Sequence, residues 1–195
     1  LGKCYQRQGK FDKAVALLKQ VVSNKPDNIT ARLDLGFALL GLGDVDEARR
    51  QFTQVAELDP TQGKAQLGLA QAFFREGNWR GALEQAQIAL LNAGSSFAVL
   101  FLLGKSAKLS GDATVAENNL KKADAILQKS LEIDPEKAES HYLRGEVAFV
   151  KEEYPTALES YTNAEKFAKA GKNYSAYGEN FTAPDAVGTK GVCLQ

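Results

Sequence analysis

A 34-residue period constrains what this chain can fold into more than any other feature. With residues 29–62 (ITARLDLGFALLGLGDVDEARRQFTQVAELDPTQ) as the unit, Gly36 falls at position 8, Leu39 at 11, Gly43 at 15, Ala48 at 20, Phe52 at 24 and Pro60 at 32. The same spacing returns a small residue at position 8 in Gly2, Ala70, Gly104, Gly145 and Gly191, and alanine at position 20 in Ala14, Ala82, Ala123 and Ala157. Position 32 is Pro26, Pro60 and Pro135, with Gly94 once, and position 17 is Phe11, Val45, Trp79 and Tyr154. A fixed period of this length marks an array of supersecondary units, each burying its apolar face only against its neighbours.

The combination of a small residue at 8, an apolar one at 11, alanine at 20, a bulky apolar one at 24 and proline at 32 resembles the tetratricopeptide repeat. The resemblance covers residues 1–171 and resumes near Pro184; it departs from the pattern at Lys169 (position 32) and Arg144 (position 7) of the last full repeat. It implies an all-α fold, a right-handed superhelical solenoid of antiparallel helix pairs whose inner groove holds peptides. The chain then reads as a single array: a partial repeat over 1–28, repeats over 29–62 and 63–96, an extended repeat over 97–137, a repeat over 138–171, an inserted loop over 172–183 and the start of a further repeat over 184–195.

Within the units, Asp44 is the expected N-cap of a second helix, since its carboxylate can accept from the free amides of the first turn. Trp79 shares a register with Phe11, Val45 and Tyr154, which predicts packing between the two helices of its repeat. In the first unit Ala14, Leu17, Leu18 and Val21 recur at helical spacing and are expected to be buried. The fourth repeat is seven residues too long between Gly111 and Ala123. The segment DATVAENNLKK contains neither Pro nor Gly, and Ala116, Leu120, Ala123 and Leu127 recur on one face. One long second helix over 113–133 is expected, projecting two turns past its neighbours and building a rim near Asn118; a short separate helix before a turn at 117–119 is the alternative. Residues 172–183 are polar, with Tyr174, Tyr177 and Phe181 interleaved, and read as a loop able to fold back into the groove.

Composition narrows the chemistry. Lys plus Arg and Asp plus Glu both number 24, so no net charge draws the chain to nucleic acid. The longest apolar run, residues 97–103, is far shorter than the roughly 20 residues that cross a bilayer, so no direct membrane insertion is expected. The chain lacks an initiator Met and opens at position 7 of a repeat, which suggests an excerpt of a longer protein; a cytoplasmic location is the expectation. Cys4 and Cys193 both fall at position 10 at opposite ends of the array and read as buried small hydrophobes, not a bridge. His141 is the only histidine, at a packing position, and CxxC is absent. No catalytic residue, metal site or cofactor is expected.

In the family's fold the first helix of each repeat lines the concave face. By that resemblance the groove is formed by Leu33, Phe37 and Leu40, then Lys64, Leu67, Gln71, Phe74 and Arg75. Phe101, Lys105 and Lys108 follow, and then Tyr142, Glu146 and Phe149. The positions that form the two-carboxylate clamp of chaperone-binding members hold mostly Leu, Phe, Gly and Ala here, which disfavours that activity. What remains is an apolar and aromatic groove with a basic spot at Arg75, Lys105 and Lys108. The expected partner is a protein or peptide segment, apolar and carrying an acidic residue. The leading reading is thus a non-catalytic interaction scaffold, part of a larger protein or assembly. The alternative is a regulatory or substrate-selecting arm of an enzyme whose catalytic domain lies outside these residues, as in repeat-bearing glycosyltransferases. Self-association through the array ends is a further expectation.

Overall fold

The computed structural model describes residues 2–168, 174–176 and 179–181. Ten helices alternate through the described residues: α1 (Gly2–Arg7), α2 (Phe11–Asn24), α3 (Ile29–Leu42), α4 (Val45–Leu58), α5 (Gly63–Arg75), α6 (Trp79–Ala93), α7 (Phe97–Leu109), α8 (Ala113–Ile133), α9 (Ala138–Val150) and α10 (Tyr154–Phe167). Each odd-numbered helix pairs with the helix after it, and each pair stacks on the next, which makes the right-handed solenoid of antiparallel pairs.

Local chemistry explains where each helix starts. The turns within the pairs place Gly9, Gly43, Gly77 and Gly111 at φ between 68° and 90°, a region open to glycine and costly for other residues. Directly after the glycine turns, Asp44, Asn78 and Asp112 accept from the backbone amides of Glu47, Gly81 and Val115. Glu152 occupies the equivalent turn of the last pair at φ 65° without being glycine. Between pairs a second rule operates. The side chains of Arg32, Gln66 and His141, all at position 4, hydrogen-bond to the carbonyls of Pro26, Pro60 and Pro135, six residues earlier. His141, whose Nε2 lies 2.8 Å from the Pro135 carbonyl and whose ring stacks on Phe167, serves this connection.

The core repeats with the same period. Phe52 is fully buried between Gly36 and Gly68, whose missing side chains let its ring sit against both helices. Tyr161 fills the corresponding place beside Gly145, and Leu18 and Leu120 fill it beside Gly2 and Gly104. Trp79 packs on Phe74 at a centroid distance of 4.8 Å, as its register implied. In the first pair Ala14 and Leu18 are buried, but Val21 is 41% exposed and Leu17 half-buried, against expectation. Leu17 and Val21 line an open trough of about 380 Å³ together with Thr30 and Asp34.

The extended repeat holds a second correction. Its second helix is one continuous 21-residue element, but the extra length lies at the other end from that expected. Asp112 caps α8 where Asp44 and Asn78 cap theirs, and Gly104 packs on Leu120, sixteen residues on, the separation of Gly36 from Phe52 and Gly145 from Tyr161. Ala116, not Ala123, therefore stands in the position-20 place, and the additional two turns lie C-terminal to Leu120, toward Ile133. The rim near Asn118 is not where α8 outruns its neighbours.

Within residues 172–183, read as a loop, β1 (Tyr174–Ala176) and β2 (Glu179–Phe181) pair antiparallel with Tyr174 opposite Phe181, and β1 lies beside α9. The further repeat expected over 184–195, with Gly191 and Cys193, lies outside the described residues, as does the side chain of Cys4.

Candidate functional site

The odd-numbered helices carry the fourteen groove candidates, and the structure sorts them. Leu33, Leu40, Gln71 and Phe101 are buried, at 7%, 1%, 7% and 2% exposure. They cannot meet a ligand from these positions; each first helix is packed on both its own partner helix and the preceding pair, so its inner stripe is narrower than the sequence pattern suggested. Phe37, Leu67, Phe74, Lys105, Lys108, Tyr142, Glu146 and Phe149 are half-buried, and Lys64 and Arg75 are exposed. Phe37 meets the edge of Phe52 at 4.9 Å.

The basic spot is also smaller than expected. The Arg75 guanidinium reaches back to the Leu40 carbonyl of the preceding repeat. Lys108 donates to the Val150 carbonyl at 2.6 Å and pairs with Glu152 at 2.8 Å. Lys105 lies over the rings of Phe74 and Phe101, at 4.9 and 5.6 Å from their centroids. Two of the three cations thus tie neighbouring repeats together, and Lys105 supplies the positive charge on an aromatic bed.

A cavity of about 440 Å³ opens at the junction of α7 and α9. Lys105, Lys108 and Leu109 form one wall; Tyr142, Glu146, Phe149 and Val150 form the other, and Glu152 and Tyr154 close one end. Phe149 and Tyr154 meet edge to face at 5.9 Å. Glu146 accepts from the hydroxyl of the fully buried Tyr161 at 2.7 Å, so its carboxylate is anchored to the core. Sequence reasoning found Tyr142, Glu146 and Phe149 but missed Glu152 and Tyr154, which sit in the turn and second helix. The only sequence signal at Glu152 was its place in a register otherwise filled by glycine.

Among the described residues no group of three or more His, Cys, Asp or Glu side chains could hold a metal, and no helix is long and apolar enough to cross a membrane.

Residues 5–55 match one tetratricopeptide repeat model, and residues 33–97, 67–117 and 109–173 match a second. The chain belongs to the tetratricopeptide repeat family. It is 29% identical over 157 residues to the anaphase-promoting complex subunit cut9 of Schizosaccharomyces pombe, covering 80% of this chain but 22% of that protein. The solved Cut9–Hcn1 hetero-tetramer superposes with a TM-score of 0.61 at 23% identity, over 85% of this chain and 30% of that one. A thermophilic tetratricopeptide repeat protein of Thermus thermophilus gives a TM-score of 0.70 at 20% identity, over 100% of this chain and 95% of that one. At these identities the superpositions establish the fold, and the chain spans about a fifth of the cut9 subunit.

Proposed function

We propose that this array is a non-catalytic protein-interaction module that seats an apolar protein segment, carrying an acidic residue, on its inner face. The carrying observation is the set of half-buried apolar side chains on three first helices, Phe37 on α3, Leu67 and Phe74 on α5, and Tyr142 and Phe149 on α9, with Lys105 of α7 between them. Partly covered aromatic surface is favourable to finish covering, at about 25 cal/mol per Å² before ordering costs, and a lone cation on that bed favours one carboxylate nearby. Cut9, to which this chain is similar, is a subunit of a multiprotein complex and is solved bound to Hcn1, which fits a module that works within an assembly.

The test is affinity capture from extract of the source cells with the parent array and with Leu67→Glu/Phe74→Glu, followed by mass spectrometry. A partner retained by the parent and lost by the double variant supports the inner face. Equal capture by both variants refutes it and moves attention to the outer helices, or to self-association of the array ends if the captured protein is a second copy.

A further inference from the structure

The two additional turns of α8 set the last helix pair out of step with the one before it. Ser130 and Ser140 approach at 3.0 Å and Arg144 pairs with Asp124 at 3.1 Å, so α9 starts beside the C-terminal turns of α8, and Lys151, just past its end, comes within 4.0 Å of Glu117 in the N-terminal part. Gly104 against Leu120 places α7 along the N-terminal half. Seven extra residues at 1.5 Å each displace the start of α9 by about 10 Å along the shared helix. Elsewhere first helices pack directly on one another, α1 on α3, α3 on α5 and α5 on α7, but α7 and α9 have no comparable close pairing. The cavity of about 440 Å³ lies in that gap.

We infer that this out-of-step junction is a specificity pocket, in which a large apolar side chain of the bound segment inserts between α7 and α9 while a neighbouring carboxylate of that segment pairs with Lys105. The inference rests on the inner-face reading above and deepens it. The volume lies in the range of about 300–1,000 Å³ typical of ligand pockets, and the walls are apolar where Tyr142, Phe149 and Val150 stand. The lining carries Lys105 and Lys108 against Glu146 and Glu152, so the sign of the ligand group is set locally, at Lys105. Lys108 pairs with Glu152 and the Val150 carbonyl, and Glu146, on the other wall, keeps its charge while it accepts from the Tyr161 hydroxyl. Among the described residues Lys105 has rings beneath it and no carboxylate, so a carboxylate is the group it lacks. Glu152 also holds a left-handed backbone that glycine occupies in the sister turns, and strain of this kind collects at sites of recognition.

The probe is a phage-displayed library of linear dodecapeptides, selected on the parent array and on three variants. The parent is expected to enrich peptides with an aromatic or branched residue within one helical turn of Asp or Glu. Lys105→Glu, a half-exposed position, should weaken the selected peptides about tenfold, the size of one charge-assisted contact, and shift a fresh selection toward Lys or Arg at the acidic place. Deleting residues 124–130 joins Ala123 to Leu131 and gives Leu120 and Pro135 the spacing of Phe52 and Pro60. It should abolish the aromatic-acidic preference while circular dichroism stays helical. If Lys105→Glu leaves affinity and charge preference unchanged while Leu67→Glu/Phe74→Glu abolishes binding, the pocket is wrong and the inner face stands. If both leave binding intact, or no peptide class is enriched, both readings fall.

Discussion

Gly36→Ala tests the packing rule on which the solenoid depends. A Cβ on Gly36 would lie 2.5 Å from Cε1 and 2.6 Å from Cζ of Phe52, against an ordinary carbon–carbon contact of about 3.5–4 Å. The ring cannot retreat, because Gly68 approaches its other side at 2.4 Å by the same measure and Phe37 presses its edge. Overpacking of this kind costs about 1–3 kcal/mol, and the better helix propensity of alanine returns about 1 kcal/mol, leaving a net loss of up to about 2 kcal/mol. For a chain of this size that is a fall of up to roughly 8 °C in melting temperature by calorimetry. The decisive comparison is a double-mutant cycle with Phe52→Leu, which places leucine against position 8 as in the Gly2–Leu18 and Gly104–Leu120 pairs. Gly36→Ala should cost less in the Phe52→Leu background by at least about 0.5 kcal/mol. An equal loss in both backgrounds would refute the steric argument.

Three further perturbations follow from the same geometry. Glu152→Gly relieves a left-handed backbone worth about 1–2 kcal/mol and gives up an exposed ion pair worth about 0–1 kcal/mol, so thermal stability should hold or rise; a fall of several degrees would mean the Lys108–Glu152 pair matters more than its exposure implies. Tyr161→Phe removes the donor to Glu146 inside the last repeat and should cost about 0.5–1.5 kcal/mol by urea denaturation, with no cost counting against an anchored carboxylate. Lys151, held chiefly by its 2.6 Å contact with Glu153 and opposed by its own desolvation, has a pKa above the ordinary lysine value of 10.5. Because the folded pKa is the higher one, the ammonium's contribution is fully present below that ordinary value and is lost as pH rises through the folded one. The urea-midpoint gap between parent and Lys151→Met should stay constant from about pH 7 to 9 and close only above about pH 10.5; closure starting near pH 8 would contradict the assignment.

The repeat, its turns and its caps were legible because each is a local demand: Gly43 and Gly77 for left-handed backbone, Asp44 for free amides, Pro60 for a stop. The location of the insertion was not. Ala116 and Ala123 are seven residues apart, nearly two helical turns, so both lie on the buried face and either satisfies the apolar pattern. What separates them is the contact of Gly104 with Leu120, which sequence periodicity does not contain. The groove was legible by register but not by depth. Leu33 and Phe101 share position 5 with Tyr142, and Leu40 shares position 12 with Phe74, yet the stacking of neighbouring repeats decides which of them reach the surface. Arg75 and Lys108 read as free cations because their carbonyl partners lie in another repeat, 35 and 42 residues away.

The inner face is tested most directly by a photocrosslinking amino acid placed, one site at a time, at Phe74 and Phe149 on the first helices and at Leu91 and Ile133 on the second, the latter two 84% and 88% exposed. In cells of the source organism the account predicts that positions 74 and 149 crosslink to the same partner protein, while 91 and 133 do not. Crosslinks from 91 or 133 alone would place the partner on the outer surface and contradict the account.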